Sequence, residues 1–248
     1  MMLLSRRSFL GGAAAFGASA FVPQANKPHR IDVHFHITPP AFLSFLAVNG
    51  QGRPIEWTLS KSLEDMEEGG TATALTSITS PGIWFGGVEG VRKVARDCND
   101  YAAKLRSDYP GRFGIFATLP LPDIEGSVRE TAYAMDTLKA DGVCMWTNYE
   151  DKWLGDKSGS NPPKNAPNGV LAEIRKMYYD VAQSSNPVAM RALRSVVPVS
   201  QIVFGTDYPY RSTSEHVKGL LTGKVFSAQE LQAIDRENAV RLLPRYRS

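Results

Sequence analysis

Val33-His34-Phe35-His36 ends a short apolar run and places two histidines two residues apart. In a β-strand, side chains at positions i and i+2 point to the same face, and their Cα atoms lie roughly 6.6 Å apart. Two imidazoles at this spacing are close enough to bind one cation. Packing or solvation of the histidines is the alternative, and the motif alone does not exclude it.

A second stretch, Gln201-Ile-Val-Phe-Gly-Thr-Asp207-Tyr-Pro209, adds an acidic group near the other end of the chain. The pattern predicts a buried strand that stops at a glycine and delivers Asp207 at its C-terminal tip. In a barrel of parallel strands the active groups come from the C-terminal strand ends. We therefore expect His34 and His36 on the first strand to meet Asp207 on the last.

With these motifs the chain resembles the amidohydrolase superfamily, in particular the branch of aminocarboxymuconate-semialdehyde decarboxylase and the salicylate- and resorcylate-type decarboxylases. The similarity covers nearly all of the chain that follows the N-terminal leader. Four further stretches carry it: Ser77-Ile-Thr-Ser-Pro-Gly82, Arg112-Phe-Gly-Ile-Phe-Ala-Thr-Leu-Pro-Leu-Pro-Asp123, Asp141-Gly-Val-Cys-Met-Trp-Thr-Asn148 and Glu237-Asn-Ala-Val-Arg-Leu242.

The predicted fold is an incomplete α/β barrel of the TIM type with six recognisable parallel strands. Strand-like runs alternate with helical patterns such as Ile124, Val128, Thr131, Met135 and Leu138, and this alternation is typical of a parallel sheet with crossover helices. The runs are Ile31–His36, Ala72–Thr79, Phe113–Thr118, Gly142–Thr147, Met177–Ala182 and Ile202–Thr206. A complete barrel has eight strands.

The two strands that a complete barrel would need in addition are lacking around a polar, Pro- and Gly-rich stretch, Lys157–Gly169, which predicts a loop. The resemblance places two whole β/α units there, so we expect an internal deletion near 157–169. Those units carry the family's third metal-binding histidine and its usual catalytic histidine. No substitute is evident, because His29 would lie toward the opposite barrel face and His216 is expected on a solvated helix face.

The resemblance implies one Zn²⁺ or similar divalent ion, bound by His34, His36 and Asp207, with Asp207 also acting catalytically as the group that handles the proton. In a decarboxylase the ion would bind the carboxylate and a neighbouring oxygen of a small aromatic or unsaturated acid. In a hydrolase on the same barrel, activated water would attack a lactone, ester or amide. Both schemes use the same three residues, and a catalytically defective remnant is the third hypothesis.

Substrate contacts are expected at the mouth of the barrel. Trp84 and Phe85 follow the second strand, Trp146 and Asn148 lie at the end of the fourth, and Arg211 follows Asp207. Aromatic walls suit a flat acid, and an arginine is able to pair with its carboxylate. The alternatives are packing for the aromatic residues and an ordinary surface position for Arg211.

The N-terminus, Ser5-Arg6-Arg7-Ser8-Phe9-Leu10 followed by Gly- and Ala-rich apolar sequence, is typical of a twin-arginine signal peptide. We therefore predict a signal over residues 1–20, cleaved after Ala18-Ser19-Ala20, and one barrel domain over 28–248. The twin-arginine export machinery is then a partner, and the protein is periplasmic or extracellular. An unrelated arginine pair is the alternative.

Composition excludes a nucleic-acid-binding role and gives no sign of a disulfide framework. The formal net charge is +3, and the first twenty residues contribute two of those charges through Arg6 and Arg7. The weakly charged remainder has no basic footprint. Cys98 and Cys144, the chain's two cysteines, lie in apolar patterns and are predicted to be packed thiols. A small carboxylic acid is the expected partner, and a homodimer is one assembly that the resemblance allows.

Overall fold

The computed structural model describes residues 30–52, 54, 56–149, 152–153, 172–173 and 175–247. The predicted signal peptide, His29 and the stretch 157–169 lie outside the described residues, so the domain boundaries and the internal deletion stay predictions. Within the described ranges, none of the helices combines the length and the apolar character that a membrane span requires.

Strands and helices alternate over most of the described chain. The strands are β1 (Arg30–Ile37), β2 (Thr71–Ile78), β3 (Phe113–Thr118), β4 (Gly142–Cys144), β5 (Asn148–Tyr149), β6 (Lys152–Trp153), β7 (Tyr179–Asp180) and β8 (Ile202–Val203). The helices are α1 (Pro40–Val48), α2 (Leu59–Gly69), α3 (Val88–Asp108), α4 (Ile124–Asp136), α5 (Pro187–Val196), α6 (Thr213–Gly223), α7 (Ala228–Gln232) and α8 (Asn238–Leu242).

Six of the strands run parallel in the spatial order β7-β8-β1-β2-β3-β4. The first four strands form one sheet, and β7 pairs with β8. The chain after β8 joins β1 through hydrogen bonds from Val33 N to Phe204 O at 3.0 Å and from His36 N to Tyr208 O at 2.8 Å. In the described part of the chain no pairing connects β4 to β7, so the prediction of an incomplete barrel with six parallel strands is confirmed.

The strands nearest the open side are shorter than the sequence pattern predicts. β4 ends at Cys144 rather than at Thr147, and Met145 is half exposed. The chain there turns into the antiparallel pair β5 and β6, and the backbone N–H of Trp146 donates to the hydroxyl of Tyr149 at 3.1 Å. β3, which has neighbours on both sides, has the predicted bounds.

The apolar pattern of α4 does not lie against the core, although amphipathic helices usually bury such a stripe. Ile124 and Val128 are 68% and 66% exposed, and Met135 is 40% exposed. The buried face holds Glu130 instead, because Arg96 of α3 binds its carboxylate at 2.8 Å and Asn99 donates to it at 2.8 Å. The polar contact with α3 therefore sets the orientation of α4.

The C-terminal segment closes the side of the sheet where the strands begin. Tyr246 packs in an apolar cluster with Ile31, Leu75 and Val203, which come from three neighbouring strands. Its hydroxyl donates to Oδ2 of Asp141, directly before β4, at 2.8 Å. The end of the chain thus connects the β8 side of the structure to the far strand of the four-stranded sheet.

Candidate metal centre

The structure brings together His34, His36 and Asp207. Nε2 of His36 lies 3.0 Å from Oδ1 of Asp207, and Nε2 of His34 lies 3.5 Å from the same oxygen. The three potential ligand atoms all lie within 4.8 Å of one another. The parallel pairing of β1 with the chain after β8 produces this meeting, since Asp207 N donates to the carbonyl of His34 at 2.8 Å.

Asp207 adopts a backbone conformation that non-glycine residues seldom take. Its φ is +68°, in the left-handed region, and its carbonyl accepts a hydrogen bond from the N–H of Tyr210 at 2.9 Å. Strained residues of this kind persist where the surrounding structure holds them, and they cluster at functional sites. Here the turn aims the carboxylate back at the two imidazoles on β1.

Each imidazole makes a second contact through Nδ1, the ring nitrogen that does not face Asp207. Nδ1 of His36 lies 3.0 Å from Oγ of Ser77 on β2, and Nδ1 of His34 lies 3.2 Å from Oδ2 of Asp180 on β7. With each Nδ1 engaged, each Nε2 is left to face Asp207. This is how metal-binding histidines are usually oriented.

Sequence reasoning did not identify Ser77 or Asp180 as site residues. Asp180 gave no strand-end signal, because the predicted strand, Met177–Ala182, continues past it, whereas the observed strand β7 ends at Asp180. Ser77 lies in one of the motifs that carry the family resemblance, on the strand next to His36, and cross-strand proximity was its available signal.

Asp32, two residues before His34, ties β1 to the chain after β8. It is completely buried and accepts hydrogen bonds from His34 N at 3.0 Å, from Thr206 N at 3.2 Å and from Thr206 Oγ1 at 2.6 Å. Burial raises the pKa of Asp32 to about 7, against the lowering effect of these hydrogen bonds. Its contacts fix the backbone that presents His34.

Charges around the site raise the pKa of one imidazole and lower the pKa values of two carboxylates. Burial lowers the pKa of His34, but the hydrogen bond and charge of Asp180 and the charge of Asp207 outweigh it, so the pKa is raised overall. Burial raises the pKa of Asp180 and of Asp207, yet their histidine neighbours bring both pKa values below the usual range. A cation placed among these groups would act in the same direction on the carboxylates.

A cavity of about 610 Å³ opens in front of these side chains. Gln183 lies at its wall and donates from Nε2 to Oδ2 of Asp207 at 3.0 Å. Across the cavity, Thr79 donates to the hydroxyl of Tyr210 at 2.9 Å. The remaining lining comes from the tip of β4 and the loops that follow β2 and β4: Ser80, Cys144, Met145, Trp146 and Thr147.

Of the five predicted substrate contacts, Trp146 lines this cavity. Trp84 lies beside it, lining a small adjacent space with Trp146 and donating from Nε1 to Pro81 O. Phe85 stacks on Phe45 with ring centroids 5.5 Å apart, in an apolar cluster. The residues that line the cavity do not include Asn148, which is exposed on β5, or Arg211, which is partly buried.

The prediction for His216 is wrong in one respect, since its side chain is buried rather than solvated. It lies in α6 at 0% exposure, with its ring 5.6 Å from that of Phe204 in an edge-to-face arrangement. Burial, with a smaller effect of Arg211, lowers its pKa to about 4. Sequence reasoning missed this because the ring that packs against His216 belongs to Phe204, in the chain after β8, which the local pattern does not reveal. His216 is not part of the ligand cluster.

The three ligand atoms fit one divalent ion. Two neutral imidazole nitrogens and one carboxylate oxygen form a donor set used by mononuclear zinc, iron and manganese sites, and three protein ligands leave positions open for substrate. The engaged Nδ1 atoms and the ionised state of Asp207 suit the same role. These are observations on the residues themselves, independent of any relative.

Comparison with known proteins identifies the class. The family model for amidohydrolases matches residues 31–162, more than half of the sequence, and the chain belongs to this family. The chain is 42% identical over 130 residues to the decarboxylase yanB of Aspergillus niger and 38% identical over 127 residues to a 6-methylsalicylic acid decarboxylase of Penicillium expansum. Each match covers 48% of this chain, but only 35% and 39% of the respective relatives.

Solved structures show the same fold over most of the chain. An amidohydrolase II crystal structure matches 87% of this chain and 100% of its own, with a TM-score of 0.78 and 21% identity. The 2,6-dihydroxybenzoate decarboxylase of Rhizobium matches 88% of this chain and 99% of its own, with a TM-score of 0.66 and 14% identity. A dihydroxybenzoic acid decarboxylase of Polaromonas, with bound manganese, matches 89% and 98% at a TM-score of 0.71 and 14% identity.

Proposed function

We propose that this chain is a metal-dependent decarboxylase of small aromatic carboxylic acids. The main support for this proposal is that His34 Nε2, His36 Nε2 and Asp207 Oδ1 converge at the wall of a cavity large enough for a single-ring acid. The relatives named as decarboxylases support the choice of reaction, although each match spans well under half of their length.

The metal that we propose is Zn²⁺ or a similar divalent ion, bound by His34, His36 and Asp207. When bound, such an ion supplies Lewis-acid polarisation of the substrate's carboxylate and of an oxygen next to it. Ser77 and Asp180 hold the imidazoles in place from behind. Among the described residues, the ligand cluster holds two histidines and the buried His216 is not part of it, so we expect weaker binding than a site with a third imidazole would have.

The chain's own groups would orient the acid and handle one proton. Trp146 offers a flat apolar wall, while Thr79 and Tyr210 offer hydroxyls to a ring substituent. In decarboxylation the bond from the ring carbon to the carboxylate breaks, CO₂ leaves, and a proton takes its place on that carbon. We assign the transfer of this proton to Asp207, whose Oδ2 is held by Gln183 at the cavity wall. Because its carboxylate is ionised, it would first take a proton from the substrate's hydroxyl group and then deliver it to the ring carbon, and the hydroxyl would regain a proton from water.

The test combines metal content with product analysis. Purified protein would be loaded with Zn²⁺ or Mn²⁺, dialysed, and incubated with a panel of hydroxybenzoates and with lactone and ester substrates. We expect substoichiometric metal and slow CO₂ release, both abolished by Asp207→Ala and retained in the exposed control Asp136→Asn. Ring or ester opening without CO₂ would contradict the decarboxylase assignment. Absence of every activity would instead support a catalytically defective remnant.

Export by the twin-arginine route is a separate proposal, supported by the sequence around Arg6 and Arg7. A fusion of residues 1–28 to a reporter that is active only after folded export would test it. The double substitution R6K/R7K should abolish export if the arginine pair is the recognition element. Export that persists in the substituted fusion would contradict the proposal.

A further inference from the structure

Gly205 lies between two side chains that come from strands on either side of it. The register of β7 with β8 places Asp180 opposite Val203, and the chain after β8 runs beside β1 at His34. Strands in a sheet are about 4.8 Å apart, so β7 and β1 are separated by roughly twice that distance. Asp180 and His34 nevertheless make a hydrogen bond at 3.2 Å across the intervening strand.

The missing side chain of Gly205 is what permits this contact. A Cβ atom at Gly205 would lie 2.9 Å from Cβ of Asp180 and 2.9 Å from Cβ of His34. Carbon atoms do not approach so closely without displacement, and neither of these atoms is the far end of a flexible side chain. Any larger residue at position 205 would therefore push the carboxylate and the imidazole apart.

Asp180 is itself held at both carboxylate oxygens. Oδ1 accepts a hydrogen bond from the N–H of Ala182 at 2.8 Å, and Oδ2 faces Nδ1 of His34. A carboxylate fixed in this way cannot turn toward the cluster of ligand atoms, and it is not one of them. Oδ2 is therefore placed to accept the Nδ1 proton of His34, and in the neutral ring this leaves Nε2 unprotonated and directed at Asp207.

We infer that Asp180 is the positioning residue for His34, and that the absence of a side chain at Gly205 leaves the space in which the two side chains meet. Together they select the tautomer and the ring orientation in which Nε2 of His34 binds the metal. The part of this inference that concerns metal affinity rests on the proposed function. The part that concerns the tautomer belongs to the metal-free protein and stands by itself.

The tautomer is measured by two-bond ¹H–¹⁵N NMR of the histidine rings in metal-free full-length protein. Only four histidines contribute signals, and substituting each by glutamine in turn assigns them. At a pH where the His34 ring is neutral, its single proton in the parent should lie on Nδ1. Asp180→Asn keeps an acceptor oxygen and should retain part of this population, whereas Asp180→Leu has none and should shift the proton toward Nε2.

Metal affinity gives the second readout, with Zn²⁺ measured by competition against a chromogenic chelator. Loss of a partner behind a metal-binding histidine typically weakens affinity about 10–100-fold. We expect Asp180→Leu and Gly205→Ala to lie in this range and Asp180→Asn to lie between them and the parent. Gly90→Ala is the matched control, since its Cβ would meet only Phe45 at 4.0 Å, and Asp136→Leu controls for removing a carboxylate.

The outcomes separate the two proposals. If the parent binds no metal but Asp180→Leu shifts the His34 tautomer, the proposed function fails and the positioning role stands. If His34 has the same tautomer in the parent, in Asp180→Asn and in Asp180→Leu, the positioning role is overturned, even where the variants are less stable. Should Gly205→Ala fail to fold, the two Asp180 variants still decide the question.

Discussion

The side-chain amide of Gln183 donates a hydrogen bond to Oδ2 of Asp207 at 3.0 Å, and both residues have a left-handed backbone, with φ values of +53° and +68°. The contact joins the end of β7 to the end of β8. It leaves Oδ1 of Asp207 for the two imidazoles. The two oxygens of Asp207 therefore have different roles: Oδ2 makes the hydrogen bond that orients the carboxylate, and Oδ1 faces the candidate metal centre.

Replacing Gln183 with alanine should raise the pKa of Asp207, because the hydrogen bond stabilises the ionised carboxylate. Since Gln183 is exposed, we expect Zn²⁺ affinity to fall by about tenfold or less, at the low end of the range for such partners. Chelator competition measures the change. Gln229→Ala, on the exposed face of α7, is the control, and equal affinities in both variants would show that Gln183 does not support the carboxylate.

His216 should make the protein less stable in acid. Its pKa is about 4 in the folded state and about 6.5 when unfolded, so the unfolded chain binds more protons between these values. Its contribution is complete above pH 6.5 and is lost as the pH falls toward 4, by up to about 3 kcal/mol. Urea unfolding of the parent and of His216→Leu at pH 7 and pH 5 measures the difference.

Comparing the two proteins is essential, because Asp32 has the opposite effect. Its folded pKa of about 7 lies above the ordinary value of 3.8, so its stabilisation is present below 3.8 and is lost as the pH rises through 7. The parent's stability profile therefore combines opposing slopes. The parent-minus-variant difference isolates His216, and a difference that does not shrink at pH 5 would contradict its lowered pKa.

The hydroxyl of Tyr246 should contribute measurably to stability. Tyr246→Phe leaves the buried acceptor Asp141 without this donor, and we expect a loss of about 1–2 kcal/mol in the free energy of unfolding. Tyr133→Phe removes a hydrogen bond to Asp100 at the same 2.8 Å distance, but on the surface, and should cost about 0.5 kcal/mol or less. Chemical denaturation of both variants provides the comparison, and equal losses would argue against a closing role for Tyr246.

The exposed apolar residues of α4 should be replaceable at little cost. Because Ile124 and Val128 are mostly solvent-exposed, Ile124→Thr and Val128→Thr should change the free energy of unfolding by about 0.5 kcal/mol or less. Glu130→Gln on the opposite face should cost several times more, since it removes the charge of a buried carboxylate that pairs with the partly exposed Arg96 and accepts a hydrogen bond from Asn99. Thermal unfolding would reveal the ranking, and the reverse order would mean that the stripe is buried in solution.

The strand pattern and the histidine spacing carried most of what the sequence could predict. β1 and β3 lie where apolar runs indicated, and the side-chain alternation of β1 was sufficient to place His34 and His36 on one face. Asp207 followed from the rule that acidic groups at strand tips face the site. The rule did not reach Asp180, because the apolar run extends to Ala182, whereas β7 ends at Asp180.

What the sequence could not show depends on contacts between distant elements. The orientation of α4 is decided by the ion pair between Arg96 and Glu130, and the burial of His216 is decided by Phe204. Neither partner is visible in a helical wheel. The role of Gly205 is likewise a matter of two side chains that converge from β1 and β7, which no single strand pattern contains.

The pairing of β1 with the chain after β8 joins residues that the ribosome synthesises at widely separated times. Asp32 and Thr206, which hold this seam together, are separated by 174 positions. At synthesis rates of about 5–20 residues per second, the histidines would wait on the order of ten seconds or more for Asp207. Until Asp207 has been synthesised, the nascent chain therefore presents two of the three proposed ligands, His34 and His36, to a metal ion. Binding of the ion by the complete ligand set has to follow synthesis of the last strand.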